Sequence, residues 1–340
     1  MALSYNESMS APKLLLPNEF IDAATKSIDR ATEYISFVAM VVMDEEATDR
    51  LIDALIAAAK RGVKVQVAAD TFTYGELEGH FTPFKYYTSA ARDKTRMVKE
   101  LKEAGAKFNW LGQFSLLPFT GRTHSKCLVV DDTVYSFGGV NLSDQHLTYT
   151  DYMFEIKDQL LALELRDEIN RMITADSKHF SYRSHAFSYK DKSSVLLDGG
   201  FQADSIIYRR AYRYAREAKE VLLVSQYCPS GKLSRALKKT NAKLYFNKPA
   251  SADFWNGLII RAGLFFSGHK TLYERKNYLH AKFVIFTMQD GTKIAITGSH
   301  NFMPGSVVFG TKEIALESRD KKVIRQLEAF FREHVALSLI

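Results

Sequence analysis

Two short stretches of this chain repeat one pattern: Thr123-His124-Ser125-Lys126-Cys127-Leu128-Val129-Val130-Asp131 and Leu279-His280-Ala281-Lys282-Phe283-Val284-Ile285-Phe286-Thr287. Each sets His and Lys two residues apart at the head of an apolar run. Each is followed by a small-residue turn ending in Asn, Gly138-Gly139-Val140-Asn141 and Gly298-Ser299-His300-Asn301. In a strand, residues i and i+2 point to the same face, so His and Lys emerge side by side while the residues after them are buried. Both runs return through a polar turn, Asp131-Asp132-Thr133 and Gln289-Asp290-Gly291, which predicts two hairpins. Two such hairpins bring two imidazoles, two ammonium groups and two Asn amides around one anion. That set equips a phosphodiester site that calls for no metal or other cofactor.

The 340 residues suffice for two domains or one duplicated fold. With 46% hydrophobic and 25% charged residues the chain reads as globular rather than disordered. The net charge of +7 suits a polyanionic partner, nucleic acid or an acidic membrane surface, and also plain solubility. Cys127 and Cys228 are the only cysteines, so no disulfide framework is expected and a reducing, cytoplasmic setting fits. Met1 to Pro17 lacks a cationic start followed by an apolar core, and no apolar run reaches the roughly 20 residues of a membrane span. Contact with lipid is expected from the surface only, on the inner face of a membrane.

The chain runs twice through a similar programme. The first pass predicts a helix at 19–33, a strand at 34–43, a helix at 47–61 closed by Gly62, a strand at 63–69, a helix at 96–105 and a strand at 107–110. The first motif hairpin and a helix near 158–175 follow. A polar stretch at 181–194 reads as a linker. The second pass predicts a helix at 203–219, a strand at 221–226, a helix at 232–240, a strand at 243–246, the second hairpin and a C-terminal helix near 320–336. Helices alternating with buried β-branched strands predict an α/β fold, two like lobes of mixed sheet flanked by helices, at 1–182 and 183–340. A pseudo-twofold pair of lobes would share one active site.

The combination resembles the phospholipase D superfamily, whose signature is His-x-Lys-x4-Asp followed by a Gly-Gly/Ser-x-Asn turn, present twice. His124, Lys126, Asp131, Gly139 and Asn141 match fully; His280, Lys282, Ser299 and Asn301 match, with Thr287 at the Asp position. The family's Asp lies away from the phosphate, so Thr287 touches local packing more than catalysis. Within the superfamily, the chain is similar to the bacterial cardiolipin synthases in the runs Ala59-Lys60-Arg61-Gly62-Val63-Lys64-Val65, Gly138-Gly139-Val140-Asn141-Leu142-Ser143-Asp144 and Tyr227-Cys228-Pro229. The resemblance implies a phosphatidyl transfer through a covalent phosphohistidine, with phosphatidylglycerol as donor. His124 is expected as nucleophile and His280 as acid, while Lys126, Lys282, Asn141 and Asn301 hold the non-bridging oxygens. Gly139 and Ser299 in the turns, and Phe119 and Arg122 at the mouth, are expected to contact substrate.

Each imidazole needs a carboxylate to fix its tautomer and stabilise its cation. Asp151 and Glu313, each ahead of an apolar run, fall where the resemblance puts those acids; Glu155 and Glu317 are alternatives. His300 is either a phosphate contact or a turn filler. Two aromatic-rich segments, 110–119 and 254–266, precede the motifs and read as loops at the mouth, either acyl-chain contacts or core. The run Phe81-Thr82-Pro83-Phe84-Lys85-Tyr86-Tyr87 within 74–96 is a candidate lid. The rival reading is a metal-independent nuclease or DNA phosphodiesterase of the same superfamily, for which the 17 Tyr and the positive charge are suited.

Overall fold

The computed structural model describes residues 12–71, 89–112 and 120–337. Its strands form two seven-stranded sheets. The first contains β1 (Lys13–Leu15), β2 (Tyr34–Ala39), β3 (Lys64–Asp70), β4 (Lys107–Leu111), β5 (Cys127–Val130), β6 (Thr133–Ser136) and β7 (Met153–Lys157), in the order β1-β7-β6-β5-β2-β3-β4. The second contains β8 (His185–Tyr189), β9 (Ser193–Gly199), β10 (Glu220–Val224), β11 (Asn241–Tyr245), β12 (Phe283–Thr287), β13 (Lys293–Gly298) and β14 (Lys312–Ser318), in the order β11-β10-β12-β13-β14-β9-β8.

Read in opposite directions, the two orders coincide over six strands. The row β1-β7-β6-β5-β2-β3 answers to β9-β14-β13-β12-β10-β11, and every neighbouring pair agrees in sense. Only β2–β3 and β10–β11 are parallel within it. The seventh strand is added at opposite edges, β4 beside β3 and β8 beside β9. The repeat expected from element order is therefore a repeat of sheet topology.

The central strands are largely apolar because helices cover both faces of each sheet. Strands β2 and β5 are buried at every position. Helices α1 (Pro17–Arg30), α2 (Asp49–Lys60) and α3 (Ser89–Glu103) enclose one outer core with Ile35, Val67 and Leu128. Helices α6 (Ile206–Glu217) and α7 (Gly231–Leu237) enclose the other with Leu223, Val284 and Ile296. Between the sheets lies one shared core. There α5 (Gln159–Ser177) and α10 (Lys321–Phe330) pack Leu165, Ile169, Leu327 and Phe330 against Val129, Phe154, Phe283 and Leu316. The C-terminal helix continues as a π-helical turn, Phe331–Val335.

Several expectations are corrected. The polar stretch at 181–194 is no linker: it holds β8 and the first residues of β9, an edge hairpin of the second sheet. Its alternating exposure is that of an edge strand with one covered face, which hides it from a search for apolar runs. The three-residue β1 was missed because it is too short to show a period. Helix α3 starts at Ser89, seven residues before its expected start. The segment 254–266 is not a loop but a helix, α8 (Phe254–Ser267). Trp110 and Leu111 close β4. Phe119 and the run Phe81 to Tyr87 lie outside the described residues. Cys127 and Cys228 are both free and buried.

Asp131, the last residue of the first motif, turns the chain with φ of 48°. Its carboxylate accepts the backbone N–H groups of Thr32, Glu33 and Tyr34 at 2.9, 3.0 and 2.9 Å, pinning the entry of β2. It is a structural cap at the end of the hairpin remote from His124. Thr287 takes its place in the second lobe with a backbone bond alone, accepting from Lys219 at 2.8 Å. Replacing Asp131 by Ala leaves those amides without their acceptor and puts a Cβ residue without a compensating side chain in the left-handed region. Asp131→Ala is expected to cost about 1–3 kcal/mol of stability in urea denaturation while leaving the site chemistry intact; unchanged stability would contradict the capping role.

Candidate active site

The two motifs meet across the lobes. Ahead of β5, Thr123 and His124 run beside the start of β14: His124 N–H donates to the Lys312 carbonyl at 2.9 Å, and Lys312 N–H to the Arg122 carbonyl at 2.8 Å. Ahead of β12, Leu279 and His280 run beside the segment that enters β7. His280 and Ala281 donate to the Thr150 carbonyl at 3.0 and 2.9 Å, and Thr150 donates to Tyr278 at 2.9 Å. Each motif is thus stitched to the strand of the other lobe that carries an acid.

The acids follow from that stitching. His124 Nδ1 is 2.9 Å from Glu313 Oε2, and His280 Nδ1 is 2.6 Å from Asp151 Oδ2. The pairs are crossed: each imidazole is held by the opposite lobe's carboxylate. Glu155 and Glu317 sit elsewhere. Glu155 accepts from Tyr135 at 2.9 Å, and Glu317 from Tyr214 at 2.7 Å with Arg210 and Arg319 nearby.

Both lysines fold back over their own motifs. Lys126 Nζ donates to the His124 carbonyl at 2.7 Å, and Lys282 Nζ donates to the His280 carbonyl. Both ammonium groups are buried. The small-residue turns are small because backbone passes close by. A Cβ on Gly138 would lie 1.7 Å from the Tyr152 carbonyl oxygen, and one on Gly298 2.2 Å from that of Ile314. At the next position the copies differ. Gly139 N–H donates to Asp151 Oδ1 at 3.2 Å, whereas Ser299 donates its hydroxyl to Glu313 and accepts from Ile314 N–H at 3.0 Å. Asn141 and Asn301 are buried, and neither side-chain Oδ1 has a partner. Beneath the turns, Thr297 Oγ1 donates to the Phe137 carbonyl at 2.8 Å and meets the Tyr152 hydroxyl at 2.6 Å, joining the lobes.

The structure gives Arg122 a task at the loop base. Its guanidinium meets Asp70 at 2.9 Å, Thr71 at 2.7 Å and the Gly112 carbonyl at 3.0 Å, while Asp70 also accepts Thr123 N–H at 2.7 Å. His300 Nδ1 accepts Phe302 N–H at 2.8 Å within the turn, and its buried Nε2 has no partner. One residue was missed. The short helix α4 (Asp144–Leu147), capped by Ser143, swings buried His146 to a ring separation of 5.4 Å from His280, with its Nδ1 2.6 Å from Ser143 Oγ. The Ser-x-x-His spacing after Asn141 was the available signal, an N-cap that opens a single turn of helix.

The centre is crowded with potential cations in a dry setting. Burial brings His124 down to about 4; Glu313 opposes this, and Lys126 and Lys282 add to it. Burial also holds His280 well below its ordinary value, and Lys282, Lys126 and His124 push the same way. Burial alone would raise Glu313, but the charge and hydrogen bond of His124, with His300 and Lys126, hold it at about 2. Burial raises Asp151 against Lys282 and its two amide donors. Burial lowers Lys282 to about 7, with Asp151 pulling up and Lys126 pushing down. At neutral pH both imidazoles are therefore held neutral, and an entering anion would recharge them. Among the described residues no cluster of three or more His, Cys, Asp or Glu could hold a metal ion.

Residues 19–173 match the family described as "Cardiolipin synthase, PLD-like domain". The chain is 24% identical over 259 residues to "Cardiolipin synthase B" of Escherichia coli strain K12, covering 70% of this chain and 59% of that one. It is 22% identical over 347 residues to "Cardiolipin synthase" of Staphylococcus aureus strain Mu50, covering 94% and 66%. The phosphatidylserine synthase of Haemophilus influenzae Rd KW20 shares the fold, with a TM-score of 0.71 and 16% identity over 96% of this chain and 88% of that one. The sequence likeness to a cardiolipin synthase, PLD-like domain thus covers most of the first sheet, and the fold likeness covers nearly the whole chain. The chain spans between about half and two thirds of the length of the curated relatives it matches. The doubled His-Lys-Asn pattern of the sequence comes together in the structure at the junction of the two sheets.

The charge balance yields a pH test. A dialkyl phosphate keeps one negative charge across the neutral range, so any pH dependence of its binding belongs to the protein. Lys282 binds the anion best when protonated. Affinity is therefore expected to fall as pH rises through about 7, and to go on rising on the acid side as far as the imidazoles are recharged by the anion, with net proton uptake on binding near neutral pH. Titration calorimetry of dibutyl phosphate in buffers of different ionisation heat measures both. A flat affinity with no proton uptake would show that neither the lysine nor an imidazole gains charge when the anion binds.

Proposed function

We propose that this chain is a phosphatidyltransferase of the cardiolipin synthase kind, working on phospholipid phosphodiesters at an anionic membrane surface. The crossed carboxylate–imidazole pairs carry the reading. They supply two oriented imidazoles at one anion site, the equipment of a two-step displacement at phosphorus.

In the first step the lone pair of neutral His124 Nε2 attacks phosphorus. The N–P bond forms as the bond to the glycerol headgroup oxygen breaks, and His280, protonated once the anion is bound, gives its proton to that oxygen. In the second step the acceptor alcohol loses its proton to His280 and its oxygen displaces His124 from phosphorus. Phosphatidylglycerol is the proposed donor; a second lipid alcohol accepts, and water in its place gives hydrolysis. Ionised Glu313 keeps the His124 proton on Nδ1 and stabilises the charge of the phosphohistidine. Lys126, Lys282 and the amides of Asn141 and Asn301 offset the charge on the non-bridging oxygens. Splitting the displacement avoids activating a weak oxygen nucleophile against an anionic diester. No helix among the described residues is long and apolar enough to cross a membrane, so the proposal has the described part of the chain meet lipid from the surface, on its inner face.

His124→Ala and His280→Ala are each expected to lower turnover of phosphatidylglycerol vesicles by at least about 10^4-fold, measured in the presence of chelator. Mass spectrometry of quenched enzyme should map a phosphatidyl adduct to His124. Glu313→Gln, which removes the charge and keeps the shape, is expected to cost about 10^2–10^4-fold. Strict dependence on added metal, an adduct on another residue, or cleavage of labelled DNA with phosphatidylglycerol untouched would defeat the proposal, the last in favour of a nuclease.

A further inference from the structure

Helix α8 (Phe254–Ser267) carries its bulk on the side away from the protein. Its buried stripe is Gly257, Ile260, Gly263 and Ser267. A Cβ on Gly257 would lie 3.1 Å from the Pro249 carbonyl oxygen, and one on Gly263 3.0 Å from the Cys228 side chain, so the helix lies close on its support. The large apolar side chains point outwards: Phe254 is 77% exposed, Trp255 48%, Leu258 52%, Ile259 37%, Phe265 84% and Phe266 78%. At 3.6 residues per turn these six fall within about 140° of helix surface, opposite the buried stripe. A surface helix of a water-soluble domain has the reverse arrangement, with its large apolar residues facing the core.

The surrounding charge is lopsided. Between residues 221 and 273 the only acid is Asp253, against eight Lys or Arg, all exposed. Four of them, Lys232, Arg235, Lys238 and Lys239, lie on or directly after α7, which packs against α8. Arg261 lies on α8 itself, at the margin of its apolar face.

The helix is also mounted on the active site. Ser225, just after β10, donates to the Asn301 carbonyl at 3.0 Å. Two residues later Tyr227 donates to Asn256 of α8, and Cys228 Sγ lies 3.1 Å from Ser267 Oγ at its far end. The segment that supports the second Asn turn therefore carries α8.

We propose that the outward face of α8 docks on an anionic phospholipid surface, with the helix in the plane of the membrane at the boundary between headgroups and acyl chains. Its 14 residues reach about 21 Å, too short to cross the roughly 30 Å hydrocarbon layer and suited to lying along it. Apolar side chains enter the acyl boundary while the neighbouring cations meet the headgroups, the two contributions that hold an interfacial helix. The inference deepens the phospholipid reading above and rests on it for its purpose; the docking is measured separately from turnover.

Flotation with mixed phosphatidylglycerol–phosphatidylcholine vesicles tests it on the full chain. Wild-type protein is expected to bind these vesicles, to bind pure phosphatidylcholine less, and to lose affinity as salt rises. Phe265→Asp with Phe266→Asp is expected to lower binding by about tenfold or more, while cleavage of a short-chain soluble diester stays unchanged. In a Trp110→Phe background, Trp255 emission should shift to the blue on adding vesicles. Equal binding by the double variant, no affinity of wild-type protein for anionic vesicles, or a lipid-free dimer that the double variant dissociates would each overturn the proposal, the last assigning the face to a second copy. Vesicle binding without turnover of phosphatidylglycerol would leave the docking intact and remove the reaction.

Discussion

The structure depends on a reciprocal exchange: each lobe supplies the carboxylate that the other lobe's imidazole needs. A buried ionisable side chain without a partner is costly, and here neither lobe contains the partner for its own histidine. His124 finds Glu313 at 2.9 Å and His280 finds Asp151 at 2.6 Å only because the strand ends of both sheets interlock. The backbone bonds of His124 to Lys312 and of His280 to Thr150 set that interlock, and the core shared by α5 and α10 holds it. One lobe alone would leave an imidazole and a carboxylate stranded.

The exchange is symmetric in topology and unequal in chemistry. Asp131 has become Thr287, Gly139 has become Ser299, and the shorter Asp151 answers to the longer Glu313. The longer acid reaches both an imidazole and the Ser299 hydroxyl and stays ionised; the shorter one leans on backbone amides and is raised by burial. His146 stands beside His280 and has no counterpart at the same distance from His124 among the described residues. These differences give the two imidazoles unlike surroundings, as would suit the proposed displacement, in which one bonds to phosphorus and the other moves a proton. The chain's positive balance is likewise one-sided. Five of its cations, Lys232, Arg235, Lys238, Lys239 and Arg261, lie on α8, or on or directly after the helix packed against it, the side for which membrane docking is proposed.

Much of this was readable in the chain. Helix and strand periods, the Gly62 stop at φ of 92° and the two motif hairpins are local signals, and apart from the early start of α3 they led to the right elements within a few residues. Elements whose pattern is set by distant neighbours were not readable. Edge strand β8 is polar because only one face is covered. Helix α8 is apolar on the side facing water and small on the side facing the protein, so its composition resembled a loop or a piece of core.

For the site the same division holds. The sequence by itself determined the inventory of paired His and Lys at strand heads and Asn turns built from small residues, because alternation along a strand acts between residues two apart; Asp151 and Glu313 came from the family resemblance, with Glu155 and Glu317 left open beside them. Only the tertiary structure decided the assignments. Glu313 and His124 lie 189 positions apart and Asp151 and His280 lie 129 apart, so which acid serves which imidazole depends on how two sheets meet. The neutrality of the imidazoles and the lowered Lys282 came with that meeting too, because desolvation and repulsion arise only once both lobes have closed over the same small volume.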